Sequence, residues 1–163
     1  MRPSACAAFV LALAIASVAA GCGSDDSSKS DTTTLRFFWT ESGEKLAVDL
    51  APKGKVNRGD VISAKSVLRN EVAQLDRRRG ARVGRVIATL HVVSPRKARV
   101  ALELTLPGGG LEAAGGPSTA PWHGRLRVTR GTGRFRGAQG TGDLRQFFDR
   151  SVSTFRLVLP PSE

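Results

Sequence analysis

From Thr32 onward, apolar and polar residues alternate with a period of two, and clusters of turn-forming residues separate the alternating runs. Successive side chains of a strand point to opposite faces, so this pattern predicts antiparallel β-structure with one buried face. Thr33 to Thr40 reads as a first strand, with Leu35, Phe37 and Trp39 on one side. Gly59 to Leu68 reads as a second, aligning Ile62, Ala64 and Leu68. Glu71 to Asp76 reads as a third, turning through the arginine-rich RRRGAR. Val83 to Val93 and Lys97 to Leu106 form the clearest pair. For their apolar sets to share a face, Val92 must oppose Ala98 and Val93 must oppose Lys97, with Ser94-Pro95-Arg96 as the connection. In that register His91 lies on the other face beside Arg99, and Ile87 opposes Glu103.

Further along, LPGGGLEAAGG holds too many glycines for a helix and suits a turn with a short strand, and Pro117 to Pro121 reads as a loop. Arg125 to Thr129, Arg134 to Arg145 and Ser151 to Leu159 supply further strands. Helical spacing persists nowhere; Asp143 to Asp149 makes a turn or two at most. Short strands in one small all-β domain leave edges that full closure removes. The fold class is therefore a single small antiparallel β-barrel of about eight strands.

The N-terminus reads as an export signal. Arg2 supplies a basic start, and Ala5 to Ala20 is an almost uninterrupted apolar or small run. That run is about 16 residues, short of the roughly 20 a spanning helix needs. Ala19-Ala20-Gly21-Cys22 resembles a bacterial lipobox, in which the cysteine is acylated and becomes the new N-terminus. Ala19 stands where Leu or Val is more usual, and cleavage near Ala20 by an ordinary signal peptidase is the alternative. The following GSDDSSKSDTTT is a polar tether with nothing to bury. The organisation read from this is a signal peptide over 1–21, a tether over 22–33 and a barrel domain over 34–163. The protein is expected outside the cytoplasm, on the bacterial membrane through Cys22, or secreted if not acylated.

Charge and cysteine count narrow the chemistry. The chain carries a formal +11, and loss of Arg2 leaves 24 basic against 14 acidic groups. Such a balance permits attraction to anionic lipid or envelope polymers. Nucleic acid is not expected, since the compartment is wrong and no binding motif appears. Cys6 leaves with the signal peptide, so the mature chain holds one cysteine, too few for a disulfide or a thiolate metal site. No metal or cofactor is expected.

Three stretches carry a family resemblance: GDVISAKSVL followed by RVGRVIATLHVV, then LELTLPGGGLEAAGG, then LRVTRGTGRFRGAQGTGDLR. Their order resembles the allene oxide cyclase and dirigent-like barrel superfamily, over roughly Leu35 to Leu159. The Gly-Thr-Gly-x-Phe-x-Gly-Ala-x-Gly stretch from Gly131 to Gly140 is the most specific part. The resemblance implies an eight-stranded barrel, often oligomeric, with an apolar cavity. Plant cyclases of the group isomerise a fatty-acid epoxide, and dirigent proteins steer phenoxy-radical coupling. Neither activity transfers residue by residue. Where the cyclases continue toward an Asn and a Leu-Tyr pair, this chain has Ser66 and Leu68-Arg69, and it contains no tyrosine.

Candidate cavity residues are Phe37, Trp39, Asp60, Ser66, Trp122, His123 and Phe135. The aromatics would fill the barrel or line its cavity, and Phe135 can plug the interior. Asp60 follows Gly59 at a strand start, where capping of backbone N–H groups competes with function. His123 and Trp122 follow a proline-rich loop expected at a barrel mouth. Absence of tyrosine and of a clustered acid–base pair favours a non-catalytic barrel binding a small apolar or aromatic molecule. An isomerase or cyclase in the cavity is the first alternative. An envelope protein binding anionic polymers through its arginines is the second. Intact-mass measurement of membrane-extracted protein is expected to give a chain starting at Cys22 with added acyl mass. A chain starting earlier and lacking that mass would remove the anchor while leaving export.

Overall fold

The computed structural model describes residues 31–40, 45–48, 55–119, 123–147 and 149–161. Nine strands follow one another: β1 (Asp31–Trp39), β2 (Lys45–Val48), β3 (Val61–Asn70), β4 (Arg82–Ser94), β5 (Lys97–Leu106), β6 (Gly109–Thr119), β7 (His123–Gly133), β8 (Gln139–Gln146) and β9 (Ser151–Leu159). No helix occurs among the described residues. Every pairing is antiparallel, in the order β1-β9-β8-β7-β6-β5-β4-β3-β2, and β1 also pairs with β3. That last pairing closes the sheet into a barrel. β2 and β1 lie head to tail along one edge of β3: β2 takes Val61 to Ala64, and β1 takes Arg69 and Asn70. They count as one interrupted strand, so the closed barrel has eight.

The two-residue period places the expected apolar set inside. Leu35, Phe37, Trp39, Leu68, Val86, Val100, Leu102, Leu104, Phe155 and Leu157 are all buried in one core. A fully buried Phe or Leu contributes about 1.5–3 kcal/mol, so these few rows carry most of the stability. The structure confirms Val92 opposite Ala98, His91 opposite Arg99 and Ile87 opposite Glu103. It corrects the turn: Ser94, not Val93, pairs with Lys97, so Val93 bulges outward and Pro95-Arg96 alone make the turn. A bulge adds one residue without changing which face the strand buries.

Other expectations are also corrected. β2 was not anticipated. β1 begins at Asp31, drawing the end of the expected tether into the ladder with β9. The glycine-rich run after Leu106 builds a long strand, β6, rather than a short one, and β6 passes through Pro117 at an irregularity in its pairing. The first residues of the expected Arg134 strand form a turn instead. At Gly142 an added Cβ would stand 2.7 Å from the Phe155 ring, so glycine lets that ring lie flat on the neighbouring strand.

Glu71 to Asp76 is not a strand. It is a compact excursion with a single bridge, Gln74 to Arg77, and with Leu75 and Asp76 in the left-handed region at φ 53° and 55°. The fully buried Asn70 organises it. Its Nδ2 donates to the carbonyls of Gln74 (2.8 Å) and Arg77 (3.1 Å), and its Oδ1 accepts from Gln74 Nε2 (3.1 Å). Gln74 then ties to β1, donating to the Arg36 carbonyl at 2.8 Å and accepting from the Arg36 N–H at 2.9 Å.

The chain alternates between two rims. One rim holds the start of β1, the β3–β4, β5–β6 and β7–β8 connections, and the end of β9. The opposite rim holds the β2–β3, β4–β5, β6–β7 and β8–β9 connections.

Asn70→Ala removes three hydrogen bonds and leaves the Gln74 and Arg77 carbonyls with only their mutual backbone bonds. It is expected to lower unfolding free energy by about 2–4 kcal/mol in a urea titration. Asn70→Asp should cost at least as much, because a carboxylate would face two carbonyl oxygens.

Candidate functional site

Beside the second rim the barrel is hollow. A cavity of about 250 Å³ lies between β1, β3, β4, β5, β8 and β9. Trp39 forms one side, and Ile62, Ala64 and Ser66 descend β3 opposite Leu90, Ala88 and Val86 of β4. Val100 pairs with Leu90 from the far side of β4. Leu144, Gln146 and Ser151 complete the wall, with Ser151 paired to both Trp39 and Gln146. The space exists because facing positions hold small side chains: Ala64 opposes Ala88, and Ser66 and Ser151 stand where leucines would fill the bore. Ile62, Ala64, Ala88 and Leu90 are only partly buried although they point inward, so this end of the bore reaches solvent.

One interior position further along β9 lies Ser153. It is fully buried, pairs with Phe37 and Leu144, and its hydroxyl has no hydrogen-bond partner among the described residues. An unsatisfied buried hydroxyl costs about 1–3 kcal/mol. Such a group is retained at a cost in stability.

The expected site residues separate. Trp39 and Ser66 line the cavity. Phe37 is fully buried in the body of the core. Asp60 is buried but lies outside the cavity wall, at the turn before β3. Its Oδ2 accepts the Asn57 N–H at 2.7 Å, while its own N–H donates to the Asn57 carbonyl, the capping arrangement that competes with function. Phe135 is buried in the β7–β8 turn at the opposite rim, where its N–H donates to the Thr132 carbonyl and its ring joins the hydrophobic core. His123 opens β7, exposed and paired with Thr119 and Arg145, and lies beside a groove on the outer wall. Cys22 and Trp122 lie outside the described residues.

Gln146 and Ser151 were missed by sequence reasoning. Their signal was the phase of the strand: counting back in twos from Phe155 places Ser153 and Ser151 inside. Concavities of about 390 and 440 Å³ also occur on the outer wall, but they are grooves between charged side chains such as Lys65, Arg85, Arg36 and Arg145. Exposed ion pairs join Asp143 to Arg156 at 2.9 Å and Glu112 to Arg130 at 3.5 Å on those walls, each worth little. Among the described residues no group of three His, Cys, Asp or Glu could hold a metal.

Among the described residues, the cavity wall contains no acid, base, thiol or phenol. Its polar atoms are the hydroxyls of Ser66 and Ser151, the Gln146 amide and the Trp39 indole N–H. These can orient a bound molecule by hydrogen bonds but offer no group for proton transfer.

No protein-family profile matches this sequence, and no curated protein does. Solved structures do. The pterocarpan synthase dirigent protein GePTS1 superposes with a TM-score of 0.62 at 15% identity, over 82% of this chain and 87% of that one. A pyocyanin demethylase gives 0.59 at 17%, over 78% and 100%. The Diels Alderase AbmU from Streptomyces koyangensis gives 0.62 at 17%, over 83% and 72%. This is the allene oxide cyclase/dirigent-like barrel fold. The dirigent-like fold accounts for the closed eight-strand architecture.

Ser153→Ala removes the unpartnered hydroxyl at little change in shape. It is expected to leave stability unchanged or raise it by up to about 1 kcal/mol in a urea titration, against the usual cost of a core substitution.

Proposed function

We propose that this chain is an exported, lipid-anchored barrel that binds one small, uncharged, apolar or aromatic molecule in its cavity. One observation carries the reading: a bore left hollow beside one rim, with an apolar wall and a few hydrogen-bonding groups. Ligand sites commonly have that composition. At about 250 Å³ the cavity falls just below the roughly 300–1,000 Å³ of sites for drug-sized ligands, so the ligand is compact. A charged ligand would lose its hydration without gaining a charged partner from the described wall. The names of the structural neighbours support the reading. They include a pterocarpan synthase, a pyocyanin demethylase and a Diels Alderase, on the same fold.

A second reading is favoured by the same wall. A ring closure that needs only proximity and orientation requires no acid or base, and hydrogen bonds from Ser66, Gln146 or Ser151 could hold a reactant in one conformation. Isomerase chemistry through proton transfer has less support, since the described wall residues include no acid or base.

Native mass spectrometry of protein purified without denaturant is the direct test. The expected result is a one-to-one complex with a neutral small molecule, lost in Ala88→Leu, which fills the bore beside Ala64. A ligand-free protein that also takes up no apolar dye would overturn the reading. Because the wall holds no charge, affinity for such a ligand should change less than about twofold between pH 6 and 9, or between low and physiological salt. Product accumulating beyond one equivalent would favour the second reading over simple binding.

A further inference from the structure

The cavity and the point where the chain enters the barrel lie at opposite rims. β1 starts at Asp31, nine residues after Cys22, so an anchor at Cys22 would hold the entry rim within about 30 Å of a bilayer. That rim carries Arg77, Arg78 and Arg79 in the β3–β4 connection, Arg82 at the start of β4, and Arg134 and Arg136 in the β7–β8 turn. All six are exposed. None forms an ion pair with a described carboxylate, whereas Arg125, Arg130 and Arg156 on the barrel wall are paired with Asp143 or Glu112. On that rim the uncharged Pro107-Gly108 turn lies between the two arginine groups. Asp76 is the exposed acid in the same connection and leaves the balance strongly positive.

We propose that this rim docks on anionic phospholipid headgroups, which points the cavity mouth away from the bilayer. The inference rests on the reading that the chain is anchored at Cys22, and it adds an orientation to that anchor. Anionic headgroups fit because their phosphates face outward in a plane, and guanidinium groups bind phosphate in bidentate fashion. Each arginine held near such a surface strengthens association by about fivefold. The ligand is then taken from the aqueous side of the envelope rather than from the lipid.

The test uses the mature chain with Cys22→Ser, so that no acyl group contributes, and vesicles of phosphatidylglycerol or phosphatidylcholine at physiological salt. Sedimentation should show binding to the first and not the second. Replacing Arg77, Arg78, Arg79, Arg134 and Arg136 together by Gln should weaken that binding by about 100-fold or more. Replacing Arg58, Arg96 and Lys97 at the opposite rim should change it less than about threefold. Circular dichroism and the urea midpoint must match the parent for both variants; if the first variant does not fold, Arg134 and Arg136 alone are replaced and should cost about tenfold. Absence of binding to phosphatidylglycerol, or an equal loss from the opposite-rim variant, overturns the proposal. Binding to soluble polyphosphate but not to vesicles overturns it in favour of an envelope polymer. The anchor is judged separately by intact mass: vesicle binding without acylation in the native protein removes the anchor and leaves the surface.

Discussion

The barrel closes on a seam of two residue pairs, Phe37 with Asn70 and Phe38 with Arg69. A ladder that short would fray if the backbone alone held it. The Asn70 side chain compensates, folding the excursion after β3 back over itself and presenting Gln74 to the backbone of Arg36. Glu71 adds one more bond, its N–H donating to the Arg36 carbonyl at 2.9 Å. Side-chain amides thus do the work of several missing strand residues. Closure also sets the number of strands, and with eight strands the interior is just wide enough to be filled or to hold one small ligand.

Which of those two outcomes occurs changes along the bore. Toward the entry rim, Phe135, Phe155, Leu157, Leu104 and Leu106 fill the space. Toward the other rim, alanines and serines take the inward positions and leave it open. The cavity is therefore made by omission of bulk at four or five positions, with the backbone frame unchanged. That explains why one fold can serve proteins of different activity, and why the side chains of the wall, rather than the fold, define the ligand.

Much of this was legible in the period-two pattern. The inward set of β4 and β5, the pairing of Val92 with Ala98, and the places of Trp39 and Ser66 on inward faces all follow from alternation. The bulge at Val93 did not, because an extra residue beside a turn leaves the pattern intact. The stretch from Glu71 to Asp76 looked like a strand because alternation does not mark Asn70 as buried; its amide is satisfied by groups four and seven residues on, in a fold-back the pattern does not show. β2 is too short to show a pattern. Gln146 and Ser151 were missed for a different reason: polar residues on an inward phase read as surface residues unless the neighbouring Phe155 and Leu157 set the count. Asp60 illustrates the opposite case, a motif position whose carboxylate closes a turn.

The pairing of the first strand with the last has a consequence for how the molecule comes into being. β1 meets β9 over nine residue pairs, from Asp31 with Leu159 to Trp39 with Ser151. A chain emerging from the ribosome delivers β1 first and β9 last. Until the final strand emerges, β1 lacks its principal partner and the barrel cannot close, so contacts between the most distant segments complete the fold. The same arrangement that gives the domain a sealed wall keeps the unfinished chain open until its last residues arrive.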